Sequence, residues 1–294
     1  MILLTGAAGK TGRAILQALA RRGEVVRVLV RTHEQSIFLS NLGAQDSLIG
    51  DLRDKSTVAQ AVQGCESIYF ICPNLTPDEV QIGESLLESA RVANAHRFVY
   101  HSVLHPHVES MPHHWQKMRM EERLFESGID FTILQPCAYM QNILSNWKSI
   151  IEQGVYAVPY ATSARISIVD INDVAEAAAV VLTDEKHSNA IYELAGPQPL
   201  SQVEVAAILS TILGIVVKPA TIDRKVWAES VQKNNFSDYQ IKTLLLMFEY
   251  YEKYGLVGNS NILSQLINRT ATTFENFLNH HIPNVQPLIQ GGTK

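Results

Sequence analysis

Gly6, Gly9 and Gly12 are the residues of this sequence best suited to hold a phosphate. Backbone without side chains lets N–H groups close on phosphate oxygens, and the positive end of a helix starting there favours the charge. Ala8, Lys10 and Thr11 fill the loop between these glycines. The spacing is Gly-x-x-Gly-x-x-Gly rather than the Gly-x-Gly-x-x-Gly of many dehydrogenases. Gly9-Lys10-Thr11 also looks like the end of an NTPase phosphate loop. That loop needs a glycine five residues before Gly9, where Leu4 stands, so this reading fails. An ordinary tight turn is the plain alternative. An apolar strand, Ile2-Leu3-Leu4, precedes the loop, and a helix with Ala14, Ile15, Ala18 and Leu19 on one face follows it. That context predicts a βαβ start with a dinucleotide pyrophosphate on the helix N-terminus.

The second strand, Val25–Val30, ends at Arg31, followed by Thr32 and His33. An NAD site usually carries Asp or Glu there, about 20 residues beyond the glycines, to hold the ribose 2′-hydroxyl. A carboxylate repels a 2′-phosphate, whereas a guanidinium accepts it through two hydrogen bonds. Lys10 adds a second cation. The expected cofactor is NADP(H) in preference to NAD(H). The bland alternative makes Arg31 a solvated strand-end charge.

His101, His105, His107, His113 and His114 are half of the ten histidines of the chain. His113 and Lys117 are four apart on one helix face, and His114 is three from Lys117. Three chemistries compete for them. Imidazole suits acid–base work near neutrality, and a neighbouring ammonium lowers its pKa. A metal would need His105, His107, His113 and His114 to converge, in a spacing that matches no standard site. The structural alternative makes Lys117 and Glu121 a plain i,i+4 surface pair and the histidines polar filler.

These residues need a scaffold that brings strand ends together. Ligands in open parallel sheets bind beyond the carboxyl ends of the strands. Strands are predicted at 44–50, 67–71, 97–101 and 130–134, and helices at 56–62, 76–93 and 112–126. Thr76-Pro77-Asp78-Glu79 reads as a helix start, with a cap, a proline and an acid three residues after the cap. The strand ends Ile71-Cys72-Pro73, His101-Ser102 and Gln135-Pro136-Cys137 then face one crevice. The fold class is α/β, a doubly wound Rossmann-type parallel sheet with a smaller, mainly helical C-terminal part. Residues 1–136 form the NAD(P)-binding domain, with returns near 166–182, and 137–294 mainly the substrate- or partner-binding part. In the latter, helices are predicted at 138–151, 173–182, 203–213, 224–231, 239–253, 262–267 and 274–278. Strands are predicted at 155–158, 166–169 and 191–194, and a loosely held tail from Ile282 to Lys294.

The chain has 294 residues, 46% of them hydrophobic and 18% charged, enough for one large α/β unit or two intimate domains. A net charge of −5 gives no argument for nucleic acid or an anionic membrane. With a strand at residue 2 there is no room for a signal peptide, and no apolar run approaches a membrane span. Cys65, Cys72 and Cys137 have no metal or pairing spacing and suggest buried thiols in a reducing compartment. A cytoplasmic location is expected. Trp115, Tyr139, Trp147 and Tyr156 could line a cleft or fill a core with equal ease.

Thr5-Gly-x-x-Gly-x-x-Gly12, Gly50-Asp51-Leu52-Arg53-Asp54, Tyr100-His101-Ser102, and Leu134-Gln135-Pro136 with Tyr139-x-x-Asn142 together resemble the NmrA-like family. The segments 247–259 and 273–278 are similar to the same group. It is an atypical branch of the short-chain dehydrogenase/reductase superfamily, and the resemblance covers nearly the whole chain. It implies a catalytic serine at Ser102 and a ribose-holding lysine at Lys117. It places Asp51 and Leu52 near the adenine, and Pro136 and Tyr139 near the nicotinamide and substrate. Apolar Ile71, Cys72 and Pro73 suit packing beside the cofactor. The superfamily Tyr-x-x-x-Lys falls on His113 to Lys117, so His113 stands where the tyrosine proton donor is expected.

The leading expectation is an NADPH-dependent oxidoreductase passing hydride to a small apolar acceptor, a quinone or an activated carbonyl. Arg31 and Lys10 would select the 2′-phosphate, Lys117 would anchor the ribose, and His113 or His114 would supply a proton or orient the substrate. No resident metal is expected. The alternative is a non-enzymatic NADP(H)-responsive sensor that binds a protein partner, for which the aromatic stripe of helix 239–253 is a candidate surface. An epimerase or dehydratase is disfavoured because those relatives also use the missing tyrosine.

Overall fold

A computed structural model describes residues 1–285. The chain begins as β1 (Ile2–Leu4), α1 (Lys10–Arg21), β2 (Val26–Val30), α2 (His33–Ser40), β3 (Asp46–Ile49) and α3 (Lys55–Ala61). It continues as β4 (Ser67–Phe70), α4 (Glu79–Val92), β5 (Arg97–His101), α5 (Pro112–Glu126) and β6 (Asp130–Pro136). Next come β7 (Ala138–Tyr139), α6 (Trp147–Gln153), β8 (Val155–Val158), β9 (Ile166–Val169), α7 (Ile171–Thr183), β10 (Ala190–Leu194) and β11 (Pro199–Leu200). The last elements are α8 (Gln202–Leu213), β12 (Lys218–Thr221), α9 (Arg224–Gln232), α10 (Asp238–Tyr254), α11 (Ser260–Leu266) and α12 (Phe274–Val285).

The main sheet has seven strands in the order β10-β6-β5-β4-β1-β2-β3, and every pairing in it is parallel. Strand order reverses between β1 and β4, and a crevice opens where neighbouring crossovers leave on opposite faces. Thr5 fastens that point: its Oγ1 donates to the Ile71 carbonyl at 2.9 Å and accepts from the Ile71 N–H at 2.9 Å. The sheet draws one more strand from the C-terminal half than the alternation to residue 136 suggests. β10 joins beside β6, and α7 packs with α1 in the same core. Residues as far as Leu194 thus contribute to the main sheet.

Side chains alternate across a strand, so each strand serves two cores. Tyr69 and Val99 pack with α1 and α7, while Ile68, Phe70, Phe98 and Tyr100 pack with α3, α4 and α5. By this parity Tyr100 faces the α4–α5 layer and His101 the opposite one. A third core holds Trp147, Ile150, Leu209 and Phe277, with Tyr156 against it. Trp147 and Tyr156 are therefore packing residues, and Trp115 is half-buried outside the cleft.

Three predicted elements change. The helix expected over 138–151 is a two-residue strand, β7, then a 3₁₀ segment Met140–Asn146, and only then α6. β7 pairs with β9 through Ala138 and Ile168, and that ladder overrides the local helical pattern. The helix expected from Thr76 starts at Glu79, with Asp78 at the cap position. α12 runs to Val285, past the tail expected from Ile282; the rest of that tail lies outside the described residues. None of the helices among the described residues is long and apolar enough to cross a membrane.

Candidate active site

The crevice at the β1/β4 reversal is a cleft of about 840 Å³. Its floor is the glycine loop: Gly6, Ala8, Gly9, Lys10, Thr11 and Gly12. α1 begins there with Gly9 at its cap, no side-chain cap and no acid in the first turn. Its first N–H groups and dipole are thus left for an anion. Gly6 sits at φ +63°, and a Cβ on Gly12 would come within 2.3 Å of the Gly6 carbonyl oxygen. The loop is wound too tightly for a side chain, as a pyrophosphate cradle needs. These residues fit a dinucleotide.

One wall carries Arg31, Gln35, Asp51 and Leu52. The Gln35 side chain accepts from the Arg31 N–H at 2.9 Å, and Thr32 caps α2. The Arg31 and Lys10 side chains are exposed on the cleft rim. Arg53 joins this wall, held by Asp78 at 3.4 Å. The next wall is the β4 end, Ile71, Cys72 and Pro73. Burial pushes the Cys72 thiol well above its usual range, which keeps it protonated.

The far wall brings Ser102, His113, Lys117, Pro136 and Tyr139 together. Lys117 is 7% exposed, so it belongs to no surface pair. Its ammonium donates to Glu79 Oε1 at 2.7 Å and to the His101 carbonyl at 3.0 Å. Glu121, its expected i,i+4 partner, is buried instead under Ser102 and Gln135, both of which donate to its carboxylate. The Ser102 hydroxyl is thereby directed at Glu121.

The two neighbouring histidines differ. His113 lines the cleft; burial first and the Lys117 charge second hold it well below the ordinary histidine pKa. It is a neutral imidazole near pH 7, and its Nδ1 has no hydrogen-bond partner among the described residues. His114 is fully buried away from the cleft, with Nδ1 3.3 Å from the His105 carbonyl, and its pKa falls to about 4 through burial. Among the described residues no three His, Cys, Asp or Glu side chains converge on a metal position.

Sequence reasoning gave His101 only a place among five histidines and Glu79 only a place at a helix start. His101 is buried between two phenols, with Nδ1 2.7 Å from the Tyr69 hydroxyl and Nε2 2.7 Å from that of Tyr139. Burial, then the Lys117 charge, lowers its pKa to about 3. A neutral imidazole has one donor and one acceptor nitrogen, so His101 donates to one of these phenols and accepts from the other. The Tyr139 hydroxyl is held by His101 and lines the same cleft as Thr11 of the glycine loop. β5 parity was the available signal for His101; Glu79 had none beyond its place at a helix start.

The C-terminal half closes the cleft with Asn142, Ile171, Ser237 and Gln240, all uncharged. The NmrA-like family pattern matches residues 1–278. An NAD(P)H azoreductase of Xenophilus azovorans is 28% identical over 282 residues, 96% of this chain and 98% of that protein. Quinone oxidoreductase 2 of Escherichia coli (strain K12) is 25% identical over 284 residues, 95% and 98% of the two chains. The crystal structure of the Escherichia coli NADPH-dependent quinone oxidoreductase complexed with NADPH superposes with a TM-score of 0.85 at 25% identity. It covers 96% of this chain and all of that one.

Proposed function

The chain belongs to the NmrA-like family, and from that premise we propose that it is an NADPH-dependent oxidoreductase acting on a neutral quinone-type acceptor. The observation that carries the reading is one cleft that joins an uncapped, acid-free helix start to a buried lysine. Whole-length similarity to an NAD(P)H azoreductase and a quinone oxidoreductase supports the reductase class. NADPH held there supplies a hydride. The glycine loop binds its pyrophosphate, Arg31 and Lys10 hold the 2′-phosphate, and Lys117 holds the nicotinamide ribose. Ile71, Cys72 and Pro73 pack beside the cofactor, with Asp51 and Leu52 towards the adenine. Pro136 and Tyr139 fix the nicotinamide end.

The acceptor side favours a neutral molecule. Val103, Ile171, Asn142 and Gln240 bring no charge to it. Neutral His113 serves as a hydrogen-bond partner for the acceptor and not as an imidazolium acid. The proton that completes reduction then comes from solvent at the open cleft. Ser102, committed to Glu121, stabilises the wall beneath the reacting atoms.

The test is loss of NADPH absorbance with a panel of quinones, azo dyes and carbonyls. Turnover is expected with quinones. Binding of NADPH without turnover on any acceptor would replace the reductase with the sensor. Arg31→Ala is expected to lower the preference for NADPH over NADH by about tenfold to a hundredfold, the worth of one charge-assisted contact. An unchanged ratio of kcat/KM for the two cofactors would return Arg31 to a solvated strand-end charge.

A further inference from the structure

Glu79 does not line the cleft; it stands behind Lys117, fully buried at the first position of α4. Its Oε1 accepts from Lys117 Nζ at 2.7 Å and from the Tyr100 hydroxyl at 2.6 Å. Its Oε2 is buried with no hydrogen-bond partner among the described residues. Packing dictates the meeting. One turn beyond Glu79 is Gly83, where a Cβ would lie 2.1 Å from Met120 Sδ on α5. Met120 thus fills the space that a side chain at Gly83 would take, and Lys117 lies one turn before Met120 on the same helix. Tyr100, facing this layer by strand parity, also places its ring 5.2 Å from the ammonium.

We propose that Glu79 is the positioning residue of the site, anchoring the Lys117 ammonium from behind so that it presents one N–H to the nicotinamide ribose. An ammonium has three N–H donors. Glu79 takes one and the His101 carbonyl a second, which leaves the third for the cleft that Lys117 lines. The ribose part of this inference rests on the NADP(H) reading above.

The other groups around Lys117 do not replace this carboxylate. Tyr100 and His101 come from β5, His113, His114 and Glu121 from α5, and Cys72 from the loop after β4. The three histidines are kept neutral, and Cys72 stays a thiol. Glu121 is engaged by Ser102 and Gln135. Among the described residues, Glu79 is the anion in contact with the ammonium. A buried lysine without a counter-charge sheds its proton more readily.

The experiment compares wild type, Glu79→Gln, Glu79→Asp and Tyr100→Phe by two readouts. One is NADPH affinity by fluorescence from neutral pH to about pH 10, where an ordinary lysine begins to titrate. The other is acetylation of Lys117 by acetic anhydride in the cofactor-free protein, read by mass spectrometry. Glu79→Gln is expected to lose NADPH affinity as pH rises, about tenfold relative to wild type by pH 9, and to acetylate Lys117 about tenfold faster. Glu79→Asp, too short to keep the 2.7 Å contact, is expected to fall between. Tyr100→Phe removes a hydrogen bond but neither charge, so its pH profile should keep the wild-type shape. Wild-type acetylation and affinity profiles in Glu79→Gln would overturn the proposal. If that variant does not fold, Glu79→Asp decides: behaviour identical to wild type overturns it. A wild type that binds no NADPH sinks the cofactor reading, while the acetylation comparison still judges whether Glu79 holds Lys117.

Discussion

Lys117→Ala is expected to destabilise the fold by about 3–5 kcal/mol as well as abolish turnover, because it strands a buried carboxylate. Glu79 is fully buried, and without Lys117 the Tyr100 hydroxyl is, among the described residues, the one group left to hydrogen-bond to it. Taking one partner from a buried ion pair costs more than the pair contributes, since the survivor keeps its desolvation penalty. The simplest variant for the ribose role therefore confounds site and scaffold. Lys117→Met combined with Glu79→Gln separates them. It replaces the pair with a long apolar chain and a neutral acceptor that still satisfies Tyr100. The double variant is expected to recover most of the lost stability in urea melts while NADPH turnover stays absent. Equal stability of Lys117→Ala and wild type would mean that the Glu79 charge is solvated or protonated. Full turnover in the double variant would remove Lys117 from the active site.

The features of this site differ in how far they could be read before the fold was known. That the glycine loop and Arg31 would reach one cleft was legible because their signals are local: spacing within seven residues, and a charge at a strand end. The helix Pro112–Glu126 was legible for the same reason, with proline opening it. α2 was not, because Ile37, Phe38 and Leu39 are consecutive and mark no helical face. β7 and the 3₁₀ segment were hidden by a ladder to residues some thirty positions away. The Lys117–Glu79 pair spans 38 residues, and it forms where α4 packs against α5. From sequence, Glu121 was the nearer partner by helical spacing, and burial overrode that spacing. His113 and His114 are adjacent in the chain, yet one lines the cleft and the other faces the His105 carbonyl. Helical rotation separates them, and neutral histidines follow from burial beside an ammonium, which spacing does not reveal.

Gly12→Ala is expected to weaken NADPH binding on the order of a hundredfold, with the fold retained. The added methyl would lie 2.3 Å from the Gly6 carbonyl oxygen and 2.6 Å from the Ala7 Cα. Both are backbone atoms, so relief requires moving the loop rather than a side chain. Gly6 cannot move freely: it holds φ +63°, and its own hydrogens face Ile71, where a Cβ would sit 2.8 Å from the Ile71 Cβ. Thr5, one residue earlier, is pinned to both backbone groups of Ile71. The strain therefore falls on the segment from Ala7 to Thr11, whose N–H groups are the proposed pyrophosphate donors. Hydrogen bonds to a charged group contribute about 1.5–3 kcal/mol each, so misplacing one or two gives a loss of this order. Distant parts of the sheet would be spared, because Leu3 and Leu4 stay paired with β2 and β4. Fluorescence titration of NADPH, beside a circular dichroism spectrum of wild-type shape, makes the measurement. Wild-type affinity in Gly12→Ala would place the pyrophosphate elsewhere, and with it the premise that this cleft holds the cofactor.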